Sequence, residues 1–289
     1  MGAISALARR PDAVGQVEPL HKPLPEAKLR AIDVDLHYPN GHGGTTIALD
    51  KVSLDVPEKE FAVIVGPSGC GKSSLLYLAA GLAQPTAGEI VVGGRTVTQP
   101  GADRGMVFQS YTLFPWLTVR QNVEFGLRRR RMPAKERAEI VAHYIDEIGL
   151  THFVDAYPKQ LSGGMMQRVA IARALANDPD VLLMDEPFGA LDSQTRAQMQ
   201  KLLLRVWERT HKTVLFVTHD IDEAILLGDR VYVMSARPGR IKERLEIPIE
   251  RPRSLEMVMD PGFIAIKRRV LSLLHDSDAD DSNARDMQN

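Results

Sequence analysis

Short apolar runs alternate with helical segments over the second half of the chain, and one such run stands near its start. Residues 61–65 (Phe-Ala-Val-Ile-Val) carry no polar side chain, which predicts a strand buried on both faces. Three further short runs that are apolar or nearly so lie at residues 181–184, 213–217 and 231–234. Residues 193–210 and 220–227, between these runs, have helical spacing. The alternation predicts an α/β fold with a mostly parallel sheet and helices on both faces.

Two segments depart from this alternation. Residues 30–56 predict two strands joined by a glycine-rich loop, as expected for an N-terminal antiparallel β-subdomain. Residues from about 110 to 165 are mostly of helical pattern, with Thr118 and Gln121 spaced as a capping box. We therefore expect a helical lobe inserted into the α/β core.

The two ends of the chain have different compositions from the middle. Residues 1–28 contain four prolines with scattered charges, which predicts a flexible arm. A last helix is expected from about Pro261 to Leu274. Residues 276–289 begin with four aspartates in six residues and predict a disordered acidic tail. The folded domain is thus expected to cover residues 29–275.

Composition narrows the class of protein. A chain of 289 residues with 44% hydrophobic content can bury a sizeable core. Its net charge of −1 gives no overall field that would attract nucleic acid, which we exclude as a partner. One cysteine, Cys70, suits a reducing compartment. No apolar run is long enough to span a bilayer and no signal-peptide pattern is present, so we expect a cytosolic protein.

A phosphate-binding loop directly follows the apolar run at residues 61–65. Residues 66–73 match the pattern G-x-x-x-x-G-K-[ST], in which backbone N–H groups hold phosphate, the lysine reaches the outer phosphates and the hydroxyl binds Mg²⁺. The expected nucleotide contacts are Gly66, Pro67, Ser68, Gly69, Cys70, Gly71, Lys72, Ser73 and Ser74. The helix from Lys72 adds an N-terminus that favours anions. A glycine turn of purely structural role is the alternative, and Lys72 argues against it.

A second glycine-rich segment, residues 161–164 (Leu-Ser-Gly-Gly), opens a helix about ninety positions later. Ser162, Gly163 and Gly164 are therefore a second set of candidate phosphate contacts. A run of four apolar residues then ends in Asp185 and Glu186. At the end of a buried strand, Asp185 would face the magnesium and Glu186 could act as the general base toward water.

Four further residues are candidates whose alternatives stay open. Gln109 follows a short strand and could touch the metal shell, or be a solvated strand end. His219 could contact the terminal phosphate, or be an ordinary surface histidine. Asp192 could belong to the site or only cap a helix. Tyr38 could stack on adenine or pack in the core.

Together these motifs resemble the nucleotide-binding subunit of an ATP-binding cassette (ABC) transporter, a P-loop NTPase of RecA-like fold. The resemblance covers about residues 30–240 and assigns each candidate a role. Residues 66–73 are Walker A, residues 181–185 are Walker B, and residues 161–164 are the signature. The remaining roles are catalytic base for Glu186, Q-loop residue for Gln109, switch histidine for His219, D-loop for residues 189–192 and A-loop aromatic for Tyr38.

The resemblance also implies cofactors and partners. The cofactors are ATP and Mg²⁺, with Ser73, Gln109 and Asp185 near the metal. Two subunits would pack head to tail, so that the signature of one chain covers the nucleotide on Walker A of the other. The second subunit would be a copy of this chain or a paralogous cassette. Met165 stands where the family usually has glutamine, and we expect activity to survive because Ser162 and backbone N–H groups make the contacts.

Local sequence resembles one branch of the family, the nitrate/sulfonate/taurine-type importers. The resemblance rests on residues 105–109, 113–119 and 234–240. It implies a membrane permease and, through it, a periplasmic or lipid-anchored solute-binding protein, with the ATPase at the cytoplasmic face of the membrane. The alternative is a soluble cassette with a regulatory or assembly role and no transport.

Three local features carry smaller hypotheses. Phe114 and Trp116 would help to line a groove that receives a helix of the permease, and a core role for Trp116 is the alternative. The arginine run at residues 128–131 is a solvated helix end, or else a contact for lipid headgroups or the permease. Cys70 would make the enzyme thiol-sensitive if accessible, and otherwise fills space.

Overall fold

Residues 27–40 and 44–286 are described by the computed structural model, with side chains up to residue 275. The strands of this part of the chain are β1 (Ala27–Pro39), β2 (Thr45–Pro57), β3 (Phe61–Val65), β4 (Ala87–Val92), β5 (Arg95–Thr96), β6 (Arg104–Val107), β7 (Val181–Asp185), β8 (Thr213–Thr218), β9 (Arg230–Met234) and β10 (Ile241–Glu246). Its helices are α1 (Lys72–Ala80), α2 (Val119–Arg129), α3 (Ala134–Glu147), α4 (Gly163–Ala176), α5 (Ser193–Thr210), α6 (Ile221–Leu227) and α7 (Pro261–Asp286).

The central sheet has six strands in the order β10-β9-β3-β8-β7-β6. All its neighbours pair in parallel except β10, which runs antiparallel to β9 at one edge. The strands β3, β7, β8 and β9 are buried along their whole length, as the unbroken apolar runs require. The predicted mostly parallel sheet is confirmed.

Side chains of β3 alternate between two separate cores. Phe61, Val63 and Val65 point into a core shared with α4, α5, α6 and α7, whereas Ala62 and Ile64 point into a second core. That second core is closed by α1 and by an antiparallel sheet of order β2-β1-β4-β5. Helices therefore lie on both faces, but the antiparallel sheet covers much of one of them.

The expected helical lobe is formed by α2 and α3 packed against α4. The capping box that begins α2 is present: Gln121 N donates to Thr118 Oγ1 at 3.3 Å, and Thr118 N donates to Gln121 Oε1 at 3.0 Å. The predicted lobe boundary near residue 165 falls inside α4. This helix runs unbroken because no glycine or proline follows Gly164 within it, and it packs on β6 and α5 as well as on α2 and α3.

Both ends of the folded domain differ from the prediction: the domain begins earlier, and its last helix ends later. Strand β1 begins at Ala27, and the expected arm lies mostly in residues 1–26, outside the described residues. The last helix, expected to end near Leu274, is longer than predicted: α7 continues to Asp286, through the first eleven residues of the expected acidic tail. No glycine or proline follows Gly262 in this helix, so no helix breaker ends it near Leu274. None of the described helices is long and apolar enough to cross a membrane.

Candidate functional site

The phosphate loop connects β3 to α1 at the carboxyl edge of the central sheet. Gly69 and Gly71 have φ angles of +76° and +103°, which glycine adopts without strain. A Cβ atom on Gly71 would lie 2.6 Å from Leu49 Cδ2 and 2.9 Å from the Ala48 carbonyl oxygen. Position 71 therefore needs glycine both for its backbone angle and for the close approach of β2.

The Lys72 ammonium group is buried within the loop, with 3% of the residue exposed. It donates hydrogen bonds to the carbonyl oxygens of Gly66 and Pro67, both at 2.9 Å. The carboxylate Oε1 of Glu186 lies 3.7 Å from the ammonium nitrogen. The lysine is thus held within the loop by two carbonyl oxygens, with a carboxylate nearby.

Ser73 and Asp185 form the pair expected to hold a metal. Ser73 Oγ donates to Asp185 Oδ1 at 2.8 Å, and Asp185 is buried at the end of β7. Burial raises the pKa of Asp185, and hydrogen bonds from Ser73 and Tyr77 act in the opposite direction. Tyr77 was not predicted from the sequence. Its place four residues after Ser73 puts both on one face of α1, which is the signal that could have indicated it.

Glu186 connects the lysine to His219. Its Oε2 lies 2.8 Å from His219 Nδ1, and its backbone N donates to the Val217 carbonyl at 2.9 Å. The φ angle of Glu186 is +39°, an unusual value for a residue other than glycine and one that concentrates at functional sites. Parallel pairing of β3 with β8 and of β7 with β8 brings Lys72, Glu186 and His219 to one edge of the sheet.

Tyr38 reaches the same edge from β1. Its hydroxyl donates to Ser74 Oγ at 3.3 Å, while 44% of the residue remains exposed. Tyr38 therefore does not pack in the core, and its exposed ring lies beside the first turn of α1.

Cys70, in the phosphate loop, is buried. Only 1% of the residue is exposed, and burial raises the pKa of its thiol. Both observations favour the space-filling role for the cysteine.

Gln109 lies at the same sheet edge but is not hydrogen-bonded to the described residues of the site. It follows β6 by two residues, and β6 pairs with β7 so that Val107 is opposite Met184. The side chain is exposed and makes no hydrogen bond with any residue that the structure describes. Its assigned part in the metal shell stays a prediction.

The signature residues lie at the N-terminus of α4. Ser162 is the N-cap of this helix, and its Oγ accepts a hydrogen bond from Met165 N at 3.3 Å. A Cβ atom on Gly163 would lie 2.6 Å from Tyr111 Oη, and one on Gly164 would lie 2.4 Å from Thr195 Cγ2. Within residues 27–40 and 44–286, no hydrogen bond or ion pair joins residues 162–164 to the phosphate loop.

Asp192 is the N-cap of α5. Its Oδ1 accepts hydrogen bonds from Gln194 N at 3.1 Å and Thr195 N at 3.0 Å. Hydrogen bonds from the Thr195 side chain, first, and then from the backbone of Thr195 lower the pKa of this carboxyl group. The capping alternative therefore accounts for Asp192 within one chain. Because Thr195 also contacts Gly164, the same turn links the cap of α5 to the signature.

A groove of about 670 Å³ separates β6 from the helical lobe. Aromatic and basic side chains line it: Phe108, Phe114, Phe125, Arg104, Arg129, Arg130 and Arg173. The Arg173 guanidinium lies 5.4 Å from the centre of the Phe114 ring. Trp116 packs on Phe114 with ring centres 5.7 Å apart and is 68% exposed, which excludes the core alternative for the tryptophan.

The fold and the site define a P-loop nucleotide hydrolase. The sequence model of the family described as "ABC transporter" matches residues 49–189. The chain is 56% identical over 227 residues to a putative ATP-binding protein of Brucella abortus (strain 2308), covering 78% of this chain and 87% of that protein. It belongs to the ABC transporter family and is an ATP-hydrolysing subunit, as the sequence predicted.

Two relatives with more specific names are similar over more of the chain. The nitrate import ATP-binding protein NrtD of Synechocystis sp. is 49% identical over 250 residues, covering 84% of this chain and 94% of NrtD. The taurine import ATP-binding protein TauB of Rhizobium johnstonii is 48% identical over 244 residues, covering 82% of this chain and 92% of TauB.

A solved structure is similar over the whole of its chain. It is the dimeric post-hydrolysis state of the ATP-binding cassette MJ0796 bound to ADP and Pi, with a TM-score of 0.68 and 35% identity. The match covers 77% of this chain and 100% of that one. The prediction of a P-loop NTPase fold is confirmed.

Proposed function

We propose that this chain energises an importer of a small anion or organosulfur solute, such as nitrate or taurine, from the cytoplasmic face of the membrane. The observation that carries the proposal is the separation of two half-sites. Lys72, Ser73, Asp185 and Glu186 meet at one sheet edge, while the exposed Ser162 begins a different helix. A second chain would supply the missing half, which fits the dimeric state of MJ0796.

The residues at the sheet edge fit a magnesium–nucleotide complex. The Ser73 hydroxyl and Asp185 carboxylate are hard oxygen donors 2.8 Å apart. No group of three or more His, Cys, Asp or Glu that could hold a metal is found among the described residues. Mg²⁺ is usually bound by one or two carboxylates together with substrate phosphates, so a sparse oxygen pair suits it. When bound, it would neutralise charge on the transferred phosphoryl group.

Hydrolysis would follow from the arrangement around Glu186. Lys72 would leave the carbonyls of Gly66 and Pro67 and bind the outer phosphates. Glu186 would accept a proton from the water that attacks the terminal phosphorus, while the bond from that phosphorus to the leaving oxygen breaks. His219 holds the Glu186 carboxylate at 2.8 Å, so it would orient the base and contact the terminal phosphate. Tyr38 would stack on adenine, Gln109 would complete the metal shell, and residues 162–164 and Asp192 would serve the partner's nucleotide.

The groove beside the helical lobe is the proposed docking surface for the permease. Its aromatic floor at Phe114 and Phe125 offers apolar contact, with ring centres 4.4 Å apart. Arg129 and Arg130 at the lining fit the permease alternative for the arginine run, whereas Arg128 pairs with Glu124 at 2.9 Å. The named importer relatives favour transport over the scaffold alternative, and the solute-binding protein would be reached only through the permease.

The test is reconstitution of the chain with its co-purified membrane partner into proteoliposomes. ATP-driven uptake of nitrate or taurine is expected, with none for Lys72→Ala. Trp116→Ala should abolish uptake and leave ATP hydrolysis by the isolated subunit unchanged. Phe153→Ala, at another exposed aromatic of the lobe, is the matched control and should retain uptake. Absence of a hydrophobic partner after detergent extraction would favour the scaffold role, and loss of both activities in Trp116→Ala would reject the docking surface.

A further inference from the structure

The loop at residues 235–240, which follows β9, is fastened against the phosphate loop. Gly239 N donates to the Ala48 carbonyl at 3.0 Å, and Asp50 N donates to the Gly239 carbonyl at 3.0 Å. A Cβ atom on Gly239 would lie 2.1 Å from the Cys70 carbonyl oxygen. This loop, which we call the clamp loop, thus lies between β2 and the backbone of the phosphate loop.

The clamp loop has an internal structure that presents one arginine. Ser235 Oγ donates to the Pro238 carbonyl at 2.9 Å and accepts from Arg240 N at 3.0 Å, which closes the turn. Arg237, at its tip, is exposed, and its Nε donates to the Gly69 carbonyl oxygen at 2.8 Å. A Cβ atom on Gly69 would lie 2.9 Å from the Arg237 Nη2 atom. Arg237 therefore covers the glycine that has a φ of +76°.

This contact controls the direction of one peptide group. The bond from Gly69 to Cys70 is planar and trans, so its C=O and N–H point in opposite directions. With the carbonyl held by Arg237, the Cys70 N–H points away from the arginine, toward the Pro67 carbonyl oxygen. The N···O distance there is 3.4 Å, which is long for such a bond. The same Pro67 oxygen accepts a hydrogen bond from Lys72 Nζ at 2.9 Å, so the Cys70 N–H is directed toward the position of the lysine ammonium group.

We propose that Arg237 is a positioning residue for phosphate binding: its bond to the Gly69 carbonyl keeps the Cys70 N–H directed into the phosphate loop. The inference rests on the proposed nucleotide site and goes beyond it. Arg237 forms no ion pair with any residue of the described parts of the chain, so its charge could also attract a phosphate directly. The positioning effect and the charge effect have different salt dependence, which allows them to be separated.

The experiment compares Arg237→Ala with Arg240→Ala in the full-length chain. Arg240 is in the same loop and carries the same charge, but it pairs with Asp50 and not with the phosphate loop. Binding of ATP and of ADP is measured by fluorescent-nucleotide titration, together with kcat and KM for ATP. Arg237→Ala should weaken both nucleotides and raise KM by about tenfold, the effect of losing one charged hydrogen bond. We expect kcat within about twofold of wild type, because ground state and transition state lose the contact equally.

Three results would overturn the proposal. The first is nucleotide binding within about twofold of wild type in Arg237→Ala, and the second is an equal loss in Arg240→Ala. The third is a loss that disappears between about 0.05 and 0.5 M salt, which would indicate a charge effect without positioning. Arg237→Met, which removes every N–H donor of the side chain and keeps most of its apolar length, replaces the alanine variant if that one fails to fold. Wild-type hydrolysis and its absence in Lys72→Ala test the nucleotide site separately from any result at Arg237.

Discussion

Replacing Glu186 by glutamine tests the site most directly. The carboxylate lies 3.7 Å from the Lys72 ammonium and 2.8 Å from His219 Nδ1, and the amide would keep its size while losing the charge and the basicity. A positioned general base contributes about 10² to 10⁴ in rate. That range corresponds to about 2.7 to 5.4 kcal/mol of barrier. We therefore expect hydrolysis in Glu186→Gln to fall to about 1% of wild type or below.

The same substitution should strengthen ATP binding. Lys72 and Glu186 attract each other in the nucleotide-free chain, and two unit charges about 4 Å apart interact by about 4 kcal/mol at an effective dielectric constant of 20. Because desolvation cancels most of that energy, we expect a net gain in ATP affinity of about tenfold when the competing carboxylate is removed. Bound but unhydrolysed ATP should then hold two chains together.

The assays are phosphate release, nucleotide titration and size-exclusion chromatography with and without ATP. Glu89→Gln is the control, since Glu89 is exposed on β4 and bonds only Thr96 at 2.8 Å among described side chains. Phosphate release above about a tenth of wild type would refute the role of Glu186 as the base. Weaker ATP binding would refute the competition for Lys72. A monomer in the presence of ATP would refute the shared site.

Two further predictions concern stability and the clamp loop. Burial raises the folded-state pKa of Asp185 above its unfolded value, so the ionised carboxylate costs stability and the cost appears as pH rises through the folded pKa. Asp185→Asn should therefore raise the melting temperature of the nucleotide-free protein at pH 8, and this gain should shrink on acidification. Mg²⁺-dependent hydrolysis should be lost. A gain in melting temperature that grows on acidification would contradict the raised pKa of Asp185. Gly239→Ala should weaken nucleotide binding by more than about tenfold, because its Cβ would lie 2.1 Å from the Cys70 carbonyl oxygen. Gly262→Ala is the control: no atom lies within 4 Å of its Cβ, so binding in the same titration should be unchanged.

The sequence predicted those parts of the molecule that depend on local pattern. Residues 61–65 and 181–184 were recognisable as strands because a strand buried on both faces needs an unbroken apolar run. Lys72, Asp185 and His219 could be placed together because the carboxyl ends of parallel strands share one edge.

Contacts between distant segments could not be predicted in this way. The bond from Arg237 to Gly69 joins residues 168 positions apart, and nothing in the spacing of either motif indicates it. Exposure could not be decided from the sequence either: Trp116 fits both a surface groove and the core, and the structure exposes 68% of it on the lobe. The length of α7 is a third case, because an acidic composition does not by itself end a helix and no glycine or proline interrupts residues 263–286.

Helix α4, shared between the lobe and the sheet, has a mechanical consequence. Ser162 caps its N-terminus, and Arg173, eleven residues along the same helix, donates to the Thr112 carbonyl at 2.8 Å and lines the groove. At 1.5 Å per residue, about 17 Å of continuous helix separates the two. A displacement of α4 at the groove would therefore also move the signature, because both lie on one continuous helix. Transmission from membrane partner to nucleotide would need no relay of flexible loops.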